Sequence, residues 1–204
     1  FVEGIENPNL RELLDAMLAD ERIARGLRTA PAAVKYHHAV IGGLLEHSLG
    51  ACHLAALTIK LHPELDADLL MTATILHDIG KIDEFVYERT FRYSDQGQLL
   101  GHLIIGVLMI EEKVRSLDNF PAHLLDMLRH LILSHHGEYE WGSPKLPMTS
   151  EAIALHHIDN LDAKLNAFHR AVLDDPNPDS NWTEWSRMFE RRLYKWQQGP
   201  ELPE

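Results

Sequence analysis

The feature that most constrains this chain is the recurrence of ionisable side chains inside apolar runs of helical period. His47 stands among leucines in GLLEHSL and His102 in LLGHLIIGVLMI, His135 and His136 close LRHLILSHH, and Asp159 sits in IALHHIDNLDAKL. Side chains at such positions face a core, where an unpaired charge or imidazole is costly. A metal ion partners neutral imidazole and carboxylate together. Ligands drawn from separate helices suit a site inside a bundle, where facing side chains converge. The composition agrees: there are 14 His against a single Cys, Cys52. One Cys excludes a disulfide framework and any Cys-rich zinc module, and it fits a reducing cytoplasm. Cys52, in an apolar run, reads as core. HExxH is absent, which argues against a zincin site.

The rest of the pattern is helical almost throughout. Leu10, Leu13, Leu14, Met17 and Leu18 have the three-and-four spacing of an amphipathic helix, and Pro31 breaks the next piece. Leu44, Leu45, Leu49, Cys52, Ala56 and Ile59 mark a long helix ending near His62-Pro63. Residues 69–78 read as a buried helix stopped by Gly80. The run EFVYERTFRY, residues 84–93, predicts a small β-hairpin turning at Glu88-Arg89. Helices over 98–117, 121–136 and 150–174 follow, with a turn-rich loop over 137–147. Beyond a polar linker, 175–179, Trp182, Trp185, Phe189, Leu193 and Trp196 form a helical seam, predicting a C-terminal aromatic helix. That helix docks on its own core or, if exposed, makes a homo-oligomer contact. The expected fold is all-α with a β excursion: an N-terminal helical segment (1–36), a central domain (37–174), and a linker with C-terminal helix (175–204).

A chain of 204 residues is one ordinary domain, or one with an appendage. No apolar run is long enough to span a bilayer, and the first residues lack the flank and core of a signal peptide. There is no initiator Met, which points to a fragment. The net charge of −12 leaves no basic surface for wrapping nucleic acid. Two divalent ions would bring it to about −8, with positive charge focused where a phosphate must sit.

A lone His-Asp pair, here His77-Asp78, means nothing by itself. In order, however, His47, His77-Asp78 with Gly80-Lys81, Gly101-His102, His135-His136-Gly137 and Asp159 resemble the HD superfamily of metal-dependent phosphohydrolases. More narrowly, GGLLEHSL, ILHDIGK, GQLLGHLIIG, ILSHHGEYEWGSPK and IDNLDAKL resemble the HD domain of YhaM-type 3′→5′ exoribonucleases. The dense match runs from about His37 to Phe168.

The resemblance implies an HD-domain helical bundle with two divalent ions. His47, His77, Asp78 and Asp159 would hold the first, and Asp78 would bridge to a second held by His102, His135 and His136. Neighbouring His77 and Asp78 can reach different sides of one pair, because successive Cβ vectors on a helix differ by about 100°. The ligand set suits Mn, Fe, Co, Ni, Zn or Mg, with Mn²⁺ favoured. A hydroxide generated between the ions would attack phosphorus in line. Lys81 would stabilise phosphoryl charge, or else it is a solvated residue favoured by the helix dipole. His38 and His156 are candidates for proton donation or phosphate contact, or support the site from behind.

The loop over 138–145 follows the paired histidines, so Trp141 could stack on a base while Lys145 meets phosphate; Trp141 could equally pin the loop. The expected substrates are 3′ ends of single-stranded RNA or DNA, cleaved to nucleoside 5′-monophosphates. Relatives of that type carry an OB-fold domain ahead of the HD domain, and none is present in this sequence. Residues 1–36 then read as a linker remnant. The alternatives are a phosphohydrolase of small nucleotides or cyclic dinucleotides and a non-catalytic metal scaffold. The cyclic-dinucleotide type carries Gly-Tyr-Pro after its paired histidines, where this chain reads EWGSP.

Overall fold

The computed structural model describes residues 1–32, 41–86 and 92–195. His38 and the Glu88-Arg89 turn lie outside them. The described residues form α1 (Pro8–Ala19), α2 (Glu21–Thr29), α3 (Gly43–Leu61), α4 (Ala67–Leu76), the single turn α5 (Lys81–Glu84), β1 (Phe85–Val86), β2 (Arg92–Tyr93), α6 (Asp95–Val114), α7 (Ala122–Ser134) and α8 (Ser150–Leu173). The all-α expectation with a small antiparallel hairpin is met, with Phe85 opposite Tyr93 and Val86 opposite Arg92.

Local chemistry sets most of these boundaries. Asn7 caps α1 by accepting from the Asn9 and Leu10 amides, with Pro8 in the first turn. Asp20 ends α1 and caps α2, accepting from the Arg22 and Ile23 amides. Asp66, Ser94 and Thr149 cap α4, α6 and α8. The Asp66 amide also donates to Glu151 at 3.0 Å, which ties the start of α4 to the start of α8.

Helix α4 is the centre of the bundle. Leu69, Leu70, Met71, Thr72, Ala73, Thr74 and Leu76 are all buried, and α1, α3, α7 and α8 pack around it. Leu10, Leu13, Leu14 and Met17 of α1 are fully buried in the same core. Helices α1 and α2 are therefore packed on the core, with Ile23 and Leu27 of α2 buried as well. A helix buried on nearly every face delivers its C-terminal residues, His77 and Asp78, to the middle of the molecule.

Two local expectations change within the bundle. Gly80 has right-handed backbone angles (φ −63°, ψ −20°) and opens α5, so it is not a left-handed helix stop. Its need for glycine is spatial: a Cβ there would lie 2.0 Å from the His102 carbonyl oxygen. Helix α6 is broken at Gly101 (φ 72°, ψ 158°), where the apolar periodicity gave no warning.

The C-terminal aromatic helix does not form over the described residues. After Leu173 the chain makes isolated antiparallel bridges, Trp182 with Tyr194 and Ser186 with Arg191. The Thr183 amide donates to the Leu193 carbonyl at 2.9 Å, and Trp182 stacks edge-on against Tyr194. Pro176 and Pro178 block helix continuation, and aromatic side chains pair well across strand-like backbone. Phe189 packs on Phe168 of α8, and Leu193 is buried. The helical seam, expected to dock on its own core or, if exposed, to make a homo-oligomer contact, is thus absent as a helix over 182–195, and Trp196 lies outside the described residues. Among the described residues, no helix is long and apolar enough to cross a membrane.

Candidate metal centre

Three helix ends and two helix interiors converge on one point. His47 comes from the first turns of α3. His77 and Asp78 follow α4, His102 follows the break in α6, His135 and His136 follow α7, and Asp159 projects from α8. Their ligand atoms fall into overlapping groups, each within 4.8 Å: His47, His77 and Asp159; His77, Asp78 and His135; His102, His135 and His136. His47, His77, Asp78 and His135 are buried.

Asp78 stands between the groups. Its Oδ2 lies 3.5 Å from His47 Nε2 and 3.4 Å from His77 Nε2. Its Oδ1 lies 3.4 Å from His102 Nε2 and 3.7 Å from His135 Nε2. On the first side, Asp159 Oδ1 is 3.2 Å from His47 Nε2. On the second, His136 Nε2 is 3.2 Å from His102 Nε2.

The donor chemistry fits divalent cations. Asp78 Oδ1 is buried and has no hydrogen-bond partner, a cost that a cation removes. The imidazoles are also oriented for ligation. Nδ1 of His77 donates to the Thr74 carbonyl, that of His135 to the Ile132 carbonyl and that of His136 to the Trp141 carbonyl. A neutral ring so held presents the Nε2 lone pair to the centre. His47 and His102 have carboxylate partners instead: Asp162 Oδ2 at 2.7 Å and Glu84 Oε1 at 3.1 Å.

The electrostatics divide along the same line. Burial opposes protonation of His47, but hydrogen bonds to Asp159 and Asp162 outweigh it and raise its pKa to about 9. Burial, with His135 and His102 alongside, pushes His136 down to about 3. Burial disfavours the Asp78 carboxylate, yet the Lys81 ammonium and His77 hold its pKa well below the usual range. Lys81 Nζ lies 2.6 Å from Asp78 Oδ2.

An open cavity meets the centre at Asp78, Lys81, His135, His136 and Asp159. Trp141, His156, Asn160, Lys164 and Met188 form its walls. The structure therefore brings together all seven expected metal ligands, Lys81, His156 and Trp141. It leaves out Lys145, which is exposed and does not line this cavity. His156 Nδ1 donates to the His135 carbonyl at 2.9 Å, and its ring lies against Trp141. Lys164, whose Nζ stands 5.4 Å over the Trp141 ring, was missed by the sequence reading. Its signal was its place one turn beyond Asn160, on the face next to Asp159. Asp162 was missed too, although it follows Asp159 by three residues on one helix. Glu84 carried no comparable signal.

A helical bundle enclosing clustered His and Asp side chains defines a protein with a centre suited to divalent metal. The chain belongs to the HD-domain family, whose pattern matches residues 44–164. It is 41% identical over 195 residues to the 3′-5′ exoribonuclease YhaM of Bacillus pumilus, covering 96% of this chain and 61% of that protein. It is 40% identical over 172 residues to the 3′-5′ exoribonuclease YhaM of Bacillus subtilis, covering 84% of this chain and 54% of that protein. The chain thus spans little more than half the length of these relatives. No solved structure matches it.

Proposed function

We propose that this chain carries the hydrolytic centre of a metal-dependent 3′→5′ exoribonuclease acting in the cytoplasm, releasing nucleoside 5′-monophosphates from single-stranded RNA. The observation that carries the hydrolytic reading is Asp78, a buried carboxylate with one oxygen toward each imidazole group and one of them lacking any hydrogen bond. Identity near 40% to exoribonucleases over most of the chain supports the substrate class.

In this reading His47, His77, Asp78 and Asp159 hold one ion, and Asp78, His102, His135 and His136 hold a second, with Mn²⁺ favoured. Such ions acidify water and polarise phosphoryl oxygens when bound. The chain's own residues do the rest. Lys81, paired with Asp78 at the cavity floor, adds positive charge where a phosphoryl group would sit. Trp141 and His156 offer flat faces for the terminal bases, and Lys164 beside Trp141 is placed for a backbone phosphate. Residues 37–174 would form the hydrolytic unit, braced by the flanking segments.

The test is incubation of Mn²⁺-loaded protein with 5′-labelled single-stranded RNA, alongside single-stranded DNA, mononucleotides and cyclic dinucleotides. Stepwise shortening from the 3′ end with 5′-monophosphate products is the expected result. Hydrolysis of the small nucleotides alone would replace the nuclease with a nucleotide phosphohydrolase.

A further inference from the structure

We infer that Glu84 and Asp162 are positioning residues, each controlling the metal affinity of one side of the centre through a single histidine. The inference rests on the two-ion reading above. Of the five imidazoles in the centre, His77, His135 and His136 are held at Nδ1 by neutral carbonyls. His47 and His102, one on each side, are held by carboxylates. A carboxylate behind an imidazole fixes its tautomer and makes its other nitrogen a better ligand, and losing such a partner typically weakens metal binding about 10–100-fold.

Each contact is separately constructed. Asp162 reaches His47 from α8 across to α3, where Gly50 leaves room: a Cβ on Gly50 would lie 2.5 Å from Asp162 Oδ1. Glu84 grips His102 twice. Its Oε1 accepts from the His102 backbone amide at 2.9 Å and from Nδ1 at 3.1 Å. The amide is available because the break at Gly101 takes it out of the helical hydrogen-bond ladder. Gly97 permits the approach of α6, since a Cβ there would meet the Glu84 carbonyl at 2.2 Å. The break in α6 and the burial of Glu84 thus serve one outcome, a fixed direction for His102 Nε2.

The experiment is a Mn²⁺ titration of the metal-stripped full chain by calorimetry, with His47→Ala and His136→Ala marking which binding step belongs to which side. Asp162→Asn is expected to weaken the His47 step about tenfold or more and leave the other within about twofold. Glu84→Ala is expected to do the reverse. Glu84→Gln keeps the accepting oxygen and loses the charge, so it is expected to fold like the parent and weaken the same step about tenfold; it carries the test alone if Glu84→Ala does not fold. If the parent binds a single ion, the two-ion reading fails. If it binds two, and the carboxylate variants change neither step or both alike, the inference is overturned.

Discussion

Lys81 Nζ lies 2.6 Å from Asp78 Oδ2, one helical turn along the chain, with both side chains largely enclosed. The pair is self-consistent: burial opposes both charges, yet Asp78 raises the Lys81 pKa and Lys81 lowers that of Asp78. Oδ2 of the same carboxylate thus meets Lys81 together with His47 and His77, while Oδ1 faces His102 and His135.

Asp78→Ala is expected to abolish hydrolysis and remove most bound metal, because it deletes the carboxylate that faces both groups. It also strands the Lys81 charge, at a cost on the order of 3 kcal/mol. Metal content by atomic emission and a thermal melt check this. Full activity with unchanged metal content would sink the shared-ligand reading.

Lys81→Ala separates charge at the substrate from metal retention. Metal content should hold, and turnover on RNA should fall about 10²-fold or more. An effect confined to metal content would mean that Lys81 serves only to set the state of Asp78.

Gly80→Ala tests the contact between the turn after α4 and the broken helix α6. The added Cβ would meet backbone, the His102 carbonyl oxygen at 2.0 Å and the Gly106 nitrogen at 2.6 Å. Destabilisation of about 3 kcal/mol is expected, as for overpacking that no side chain can relieve. Metal at the His102 side should be lost first. A melt unchanged from the parent would contradict this account of the glycine.

The pH dependence of metal uptake has a definite sign. In the metal-free protein His47 keeps its proton up to about pH 9, and an ion at its Nε2 must displace that proton. Affinity at this side should therefore rise about tenfold per pH unit through neutrality and level off near 9. His136, with its pKa pushed down to about 3, has no proton to give and adds nothing to the slope. Mn²⁺ titrations at pH 6.5, 7.5 and 8.5, as about the range needed, would expose a flat profile.

The sequence by itself determined the helical class and the hairpin, and it picked out the His and Asp side chains that the fold gathers at one point. Those depend on local chemistry: apolar periodicity, capping residues, and ionisable groups such as His47 and His102 in runs that must be buried. It misled at residues 182–195, where an apolar spacing that fits a helix belongs to bridged, strand-like chain. Prolines before it and pairing across it outweigh period. Tertiary structure alone decided which partner each imidazole takes. Asp162 meets His47 across 115 positions of sequence, and Glu84 meets His102 only because Gly101 breaks α6. It also put Lys164, not Lys145, beside Trp141. Periodicity reports which face of a helix is buried; what that face meets is set by how the helices cross, and that is a property of the packed whole.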